Sequence, residues 1–395
     1  MTERIMVSSF DEALEVFVSK YGKIPERIWG RAPFMFGSAE TPGGVHARSD
    51  VGERSTVDGT PLPTLWDEFN RRLALFNLQH GAFVSQVAFP VNVTTDRVAI
   101  PRRARYETAT EFGQPVLIRT ERVARAYDLE HFDLGFGFTQ EFLDDATTQE
   151  IQAIRSLAEE GWGRRVRQTI LERLFFEANY TDSKEGLAVK KLYNNDGEVP
   201  PEYDDFTHLG THTHFLFSAG VAFALADITA MEDHLIHHGY GDITDNGAGG
   251  DLVLHAGRAA VKQVRAFTGY IPAPTASIVS EFANSGVLVG RRPGGPGTIQ
   301  GYLGQFAVVE NTAIPSGYVL GLATGGAFAT QNPVGMRVHK NPSARGLRLN
   351  PGRNDYPLMD SYYDGYVGGG VRHRGAAVIT YEDTGAGAAY VDPTF

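Results

Sequence analysis

At 395 residues, with 42% hydrophobic and 21% charged side chains, the chain is long enough for a large core and ordinary in its balance of polar and apolar residues. It has no cysteine, which excludes disulfides, thiolate metal sites, iron–sulfur clusters and cysteine nucleophiles and leaves His and carboxylates as the strong metal ligands. A net charge of −11 argues against a broad face gripping nucleic acid, and no apolar run approaches the ~18 residues of a membrane span, so a soluble protein made in a cytoplasm is expected.

Residues 9–19, "SFDEALEVFVS", place Phe10, Leu14, Phe17 and Val18 at helical spacing behind Ser9 and predict one short amphipathic helix. The stretch from there to about residue 65 is rich in Gly, Pro, Ser and Thr, so residues 1–65 read as an extended arm. From about Phe83 the β-branched and aromatic content predicts strands, and "VLIRTERVA" (116–124) partly alternates as a strand with one wet face does. "EFGQP" (111–115) supplies a turn, giving a two-stranded projection over 100–135 that is only marginally stable alone. On it, Arg102, Arg103, Arg105, Arg119 and Arg122 stand among Glu107, Glu111 and Glu121, a mixed strip suited to charged contacts with another protein subunit. Arg outnumbers Lys 29 to 7, a bias that also suits interfaces because the guanidinium holds carboxylates bidentately.

The strongest element comes next. Thr147 and Glu150 form a capping box, in which each side chain satisfies a free backbone N–H of the first turn. Ile151, Ile154, Ala158, Trp162, Val166, Ile170 and Leu174 then recur every three or four residues, predicting a spine helix over about 147–178 and on the order of 45 Å long. Gly161 and Gly163 are expected to cost roughly 1 kcal/mol each against Ala. Arg164, Arg165 and Arg167 on this helix offer a local basic face that could meet nucleic acid.

Residues 184–216 read as polar loops. A helix is predicted from "FSAGVAFALADITAMEDHLIHHG", a buried strand from "GDLVLHAG", a helix from "RAAVKQVRAF" and two strands around the Pro-Ser-Gly turn of "FAVVENTAIPSGYVLGLATGGAFA". This alternation predicts an α/β domain between about 217 and 345, and the tail "GGGVRHRGAAVITYED" ends in a further strand.

Two histidine clusters invite a chemical reading. In "MEDHLIHHGYGD" (231–242), His234 and His238 are four apart and share a helical face, and with Asp242 they form a candidate metal set. Leu235, however, occupies the position where a metalloprotease needs its Glu base. The plainer reading is a helix end: Val221, Ala224, Ile228, Met231 and Leu235 make the buried stripe, Gly239 stops the helix, and His237 and His238 meet the negative end of its dipole. His208, His212 and His214 lie in "HLGTHTH", a predicted loop, and a joint site would need the two clusters to meet in space. The expectation is no metal and no cofactor. The stretches "GAGGD", "RRPGGPG" and "GLATGG" lack the Lys-Ser/Thr of a phosphate-binding loop and read as turns, and there is no Gly-x-Ser-x-Gly elbow.

An arm, a projecting hairpin, a Thr-capped spine, an α/β domain and a returning strand succeed one another in a telling order. With "ETATEFGQPVLIRTERVARAYDL" leading through "FTQEFLDDATTQEIQAI" into the spine, the chain resembles the major capsid proteins of tailed bacteriophages, which have the Hong Kong 97 fold. "GDLVLHAGRAAVKQVRAF" looks like the strand and helix of that family's axial domain, "GTIQGYLGQFAVVENTAIPSGYVLGLA" like its Gly-rich strand and turn, and "HRGAAVITYED" like the closing strand of its peripheral domain. The resemblance implies an α+β capsid fold with an N-terminal arm (1–65), an E-loop hairpin (100–135), a peripheral domain (66–99, 136–216 and 346–395) and an axial domain (217–345). It implies a non-enzymatic shell subunit in hexamers and pentamers of an icosahedral virion, assembled in the host bacterial cytoplasm. The implied partners are scaffold, portal and decoration proteins, with packaged double-stranded DNA touched only weakly and no membrane. Some family members crosslink through an E-loop Lys and an Asn, but residues 24–183 contain no Lys, so no such crosslink is expected here.

Two other readings compete. An encapsulin-like nanocompartment keeps the fold and carries an enzyme cargo in place of DNA. A His/carboxylate metalloenzyme on His234, His238 and Asp242 belongs to a different class.

Overall fold

The computed structural model describes residues 56–77, 81–100, 108, 113, 117, 121–203, 206–218, 220, 222–242, 249–273, 299–355, 358–382 and 389–395. In chain order, α1 (Leu62–Phe76), α2 (Ala82–Val87) and β1 (Ala88–Val91) precede β2 (Thr95–Ile100) and β3 (Glu121–Ala126). β4 (Glu130–Thr139) runs through α3 (Gln140–Asp145) into the long α4 (Thr148–Phe175). Short strands β5 (Tyr180–Thr181) and β6 (Ala188–Val189) lead to β7 (Phe215–Ser218), α5 (Leu225–Ile236), β8 (Asp251–Ala256), α6 (Arg258–Arg265) and β9 (Ile271–Pro272). The remaining strands are β10 (Ile299–Leu303), β11 (Phe306–Glu310), β12 (Tyr318–Thr324), β13 (Val334–Arg337), β14 (Arg348–Asp355), β15 (Leu358–Val367), β16 (Gly369–Val371) and β17 (Ala377–Glu382).

The spine forms as its sequence dictates. The Thr147 N–H donates to Glu150 Oε2 at 2.8 Å and the Glu150 N–H to Thr147 Oγ1 at 3.4 Å, closing the capping box. Ile151, Ala158, Trp162, Val166, Ile170 and Leu174 are buried and Ile154 is half-buried, packed with Leu65, Trp66 and Phe69 of α1 in the larger core. The helix ends at Phe175, about three residues before the expected 178, where Phe176 turns extended as the C-cap, and the buried Arg173 of its last turn partners Asp128. Asp128, fully buried, accepts from Arg173 Nη2 at 2.5 Å, from the Tyr180 hydroxyl at 2.6 Å and from the Gly369 N–H at 2.6 Å. Three distant segments are thus tied to one carboxylate whose charge is paired and hydrogen-bonded, as burial requires.

A seven-stranded sheet in the order β7-β17-β12-β8-β11-β10-β9 carries the second core. All seven residues of β12 are buried, as befits a central strand covered on both faces. α5 contributes Ile228, Met231 and Leu235 and α6 contributes Ala260, Val261 and Val264 to one side of it. Two three-stranded sheets, β1-β13-β16 and β14-β15-β4, accompany the spine, and β2 pairs antiparallel with β3 from Thr95↔Ala126 to Ile100↔Glu121.

Several expectations are corrected. Residues 62–65, read as the end of the arm, begin helix α1, whose Leu65, Trp66, Phe69 and Leu73 are buried at helical spacing. Phe83–Val87 is helical, not a strand: the Ser85 carbonyl receives the Phe328 N–H and the Asn332 side chain, so its hydrogen bonds lie outside any sheet ladder. The helix expected from 217 starts at Leu225, since Phe215–Ser218 pairs in parallel with Ile379–Glu382. Asp227 fixes that start by accepting from the Ala224 N–H at 2.7 Å and from Ser218 Oγ at 2.8 Å, and Ala224 is an exposed cap residue, not part of the buried stripe. β17, read as the closing strand of another domain, lies between β7 and β12, whereas β13, from within 217–345, pairs with β1 and β16. Both strands are buried on both faces and so join whichever sheet can cover them twice. The expected helix at 9–19 and Val221 lie outside the described residues.

Candidate functional site

The hairpin candidates are only partly visible. Arg102, Arg103, Arg105, Glu107, Glu111 and Arg119 lie outside the described residues, while Glu121 and Arg122 begin β3 and Arg122 is exposed. β2 and β3 pair antiparallel, and most of the residues between them, where the projection was expected, lie outside the described residues.

The histidines form the densest group of chemically capable side chains among the described residues. α5 ends at Ile236, and Gly239 takes φ +82°, with its N–H on the Ile236 carbonyl at 2.8 Å. A Cβ at Gly239 would meet the Tyr203 ring at 2.7 Å, so both its conformation and its surroundings demand glycine. This turn swings His238 inward, where it packs so tightly on Gly375 that a Cβ there would lie 2.9 Å from the imidazole. Opposite, the segment 208–214 is held by backbone bonds from the Asn195 N–H to the His212 carbonyl and from the His214 N–H to the Tyr193 carbonyl, at 3.1 and 2.7 Å. The Ile379 N–H of β17 donates to the His214 carbonyl at 2.9 Å.

These constraints bring three ring nitrogens together. His214 Nε2 lies 2.8 Å from His238 Nε2, and His212 Nε2 lies 3.1 Å from each. His208 stacks on His238 with centroids 4.5 Å apart, and a ligand atom of His208 lies within 4.8 Å of those of His212 and His238. His234 stacks on His212 at 5.4 Å. Tautomers follow from the acceptors: His214 Nδ1 faces the Ala377 carbonyl at 2.6 Å, and a carbonyl only accepts, so the proton sits on Nδ1 and Nε2 is a lone pair. By the same reasoning His208 Nε2, 3.3 Å from the His237 carbonyl, carries the proton and Nδ1 is the free base.

Burial keeps these rings neutral. It holds His214 and His238 well below the ordinary histidine range, reinforced by their neighbouring imidazoles, and lowers His212 to about 4. The helix-dipole expectation for His237 and His238 is thereby corrected: His237 is also lowered, chiefly by burial, and its ring stacks on Phe206. The set His234, His238 and Asp242 is corrected as well. Asp242 accepts from the Tyr203 hydroxyl, and the nitrogens beside His238 come from His212 and His214. Spacing held part of the signal: in an extended segment residues 212 and 214 share a face, as 234 and 238 do on a helix.

A buried cation anchors the loop carrying half of this cluster. Arg374 donates to the Lys191 and Leu192 carbonyls at 2.6 and 2.9 Å, to Asn194 Oδ1 at 3.0 Å, to Asp196 Oδ1 at 3.1 Å and to Glu198 Oε2 at 2.9 Å. Its guanidinium lies 4.7 Å from the centroid of the Tyr193 ring, which in turn stacks on His238. Burial disfavours ionisation of Asp196, but hydrogen bonds from Lys190 and Arg374 outweigh it and hold the carboxyl far below its usual range. Glu198 is lowered against the same penalty by Arg125 and Arg374.

Comparison with known proteins gives the arrangement its context. A chain of Mycobacterium phage Patience superposes with a TM-score of 0.65 at 29% identity, covering 89% of this chain and 95% of that one. The capsid of a native gene-transfer-agent (GTA) particle gives a TM-score of 0.45 at 12% identity, covering 77% and 91%. A holo encapsulin complex from Synechococcus elongatus gives 0.44 at 13%, covering 80% and 91%. No family model and no curated protein matches the sequence. Fold and sequence together place the chain beside the phage Patience chain over nearly the whole length of both. That similarity supports the reading of a phage capsid shell protein, which the order of elements in the sequence also implies.

Proposed function

We propose that the chain is the major structural shell subunit of a tailed double-stranded DNA phage, without enzymatic activity, assembling into the hexamers and pentamers of an icosahedral head. The observation that carries this reading is the correspondence with the phage Patience chain over nearly the whole of both. In this role the residues before α1 act as the N-terminal arm and 100–135 as the E-loop, which takes in β3 and is joined to β2 by their ladder. The spine α4 belongs to a peripheral domain, and the seven-stranded sheet belongs to an axial domain that also takes in β17. Self-association is supported by the sheet β14-β15-β4, where Leu134 and Tyr362 are exposed large side chains. Scaffold, portal and decoration proteins are the partners in assembly, and DNA meets the inner wall through weak nonspecific contacts.

Sedimentation of the chain co-expressed with its scaffold tests the reading. Particles of shell size are expected, and a species that stays small with and without scaffold would refute it. Cargo enzyme in place of DNA inside such particles would favour the encapsulin alternative.

A further inference from the structure

We propose that His212, His214 and His238 form a structural site for a divalent transition-metal ion, zinc above all, with His208 placed to close the fourth position. Three observations carry the assignment. The Nε2 atoms of the three rings form a triangle with sides of 2.8, 3.1 and 3.1 Å. Hydrogen bonding among themselves accounts for it only in part: with the His214 proton on Nδ1, a single Nε2–H serves at most two sides of the triangle and leaves two lone pairs facing each other along the third. A single ion roughly 2.0–2.1 Å from each nitrogen, about 1 Å off the plane of the three atoms, takes up all three lone pairs.

The second observation is the support around the rings. His214 is completely buried, and its Nδ1–H is directed onto the Ala377 carbonyl, the arrangement by which a metal-bound imidazole is normally oriented and made more basic. His238 is wedged between Gly375, Tyr193 and His208, and only glycine fits at 375 and 239. The third is donor chemistry: neutral imidazoles suit zinc and its neighbours and are poor ligands for calcium or magnesium, which select oxygen. A nitrogen-only set of four ligands, two of them buried and two half-buried, is suited to a structural role. Bound there, the ion ties the loop 208–214 to the end of α5, segments 24 to 26 residues apart in the chain, and to β17 through His214.

The test uses the full chain, expressed and purified with zinc and dialysed free of excess, with cobalt(II) as a second probe. About one zinc per chain by elemental analysis is expected, together with the intense visible absorption of four-coordinate cobalt. His238→Gln and the less buried His212→Gln should each weaken zinc binding by on the order of 100-fold or more, beyond the loss typical of an outer-shell partner. His339→Gln, outside the cluster, should leave stoichiometry and spectrum unchanged. Far-UV circular dichroism separates lost ligation from lost folding, and if both cluster variants misfold, the wild-type stoichiometry and cobalt spectrum decide. Wild-type protein that retains well under one ion per chain, or folded cluster variants that bind as the wild type does, would overturn the assignment.

Discussion

Arg374 shows how much a single side chain can organise. Its guanidinium is fully buried and has a partner at each nitrogen, so removing it leaves Asp196 with Lys190 and Glu198 with Arg125 as their remaining cations and strips the Lys191 and Leu192 carbonyls of their donor. Arg374→Met is expected to destabilise the unassembled subunit by about 3–5 kcal/mol, measurable by urea denaturation. The pH dependence should change with it. Asp196 and Glu198 are held below their ordinary range in the folded state, so the stability they contribute is complete above the unfolded value of about 4 and is lost as pH falls further. Wild-type stability should therefore drop steeply below about pH 4, and the variant should begin lower and fall less. A parallel shift of both curves would contradict the network. None of this was legible in the sequence, because the partners of Arg374 lie some 176 to 183 residues away and no local period marks an arginine that will be buried. The histidines were half legible: the sequence displayed two same-face pairs, but only the pairing of β17 with the His214 segment brings them together.

At the level of elements, the spine was legible nearly to its ends because two local signals agreed, the capping box and the apolar period. Thr147→Ala should cost about 1 kcal/mol by removing the cap, as read from thermal unfolding. Gly161 is the complementary case. A Cβ there meets nothing within 4 Å, so Gly161→Ala is expected to stabilise the subunit by about 1 kcal/mol; destabilisation would show that the position is strained. Elements that escaped the sequence are those whose local pattern is ambiguous. "FVSQV" alternates like a strand, yet it is helical and its Ser85 carbonyl is taken by the Phe328 N–H and the Asn332 side chain. "FLFS" sits at the head of an apolar run that reads as helix, but its backbone completes the edge of the seven-stranded sheet. α1 lies directly behind a Pro- and Gly-rich stretch, which masked its apolar stripe.

For the whole molecule, the order of elements was the informative signal, and it led to the capsid class before any single residue did. Domain limits drawn along the chain were less legible, since β13 and β17 each cross to a sheet assembled mostly from other segments. Long-range pairing of buried strands is decided by which sheet can cover both faces, and contiguous sequence does not encode it. The chain has no Lys between residues 24 and 183, so assembled shells should dissolve to single chains in hot denaturant; covalent ladders on a gel would contradict this. The most direct measurement is cryo-electron microscopy of the chain expressed with its scaffold. Icosahedral shells with fivefold and sixfold capsomers built from this fold are expected, whereas a monodisperse monomer or dimer under every assembly condition would contradict the capsid assignment.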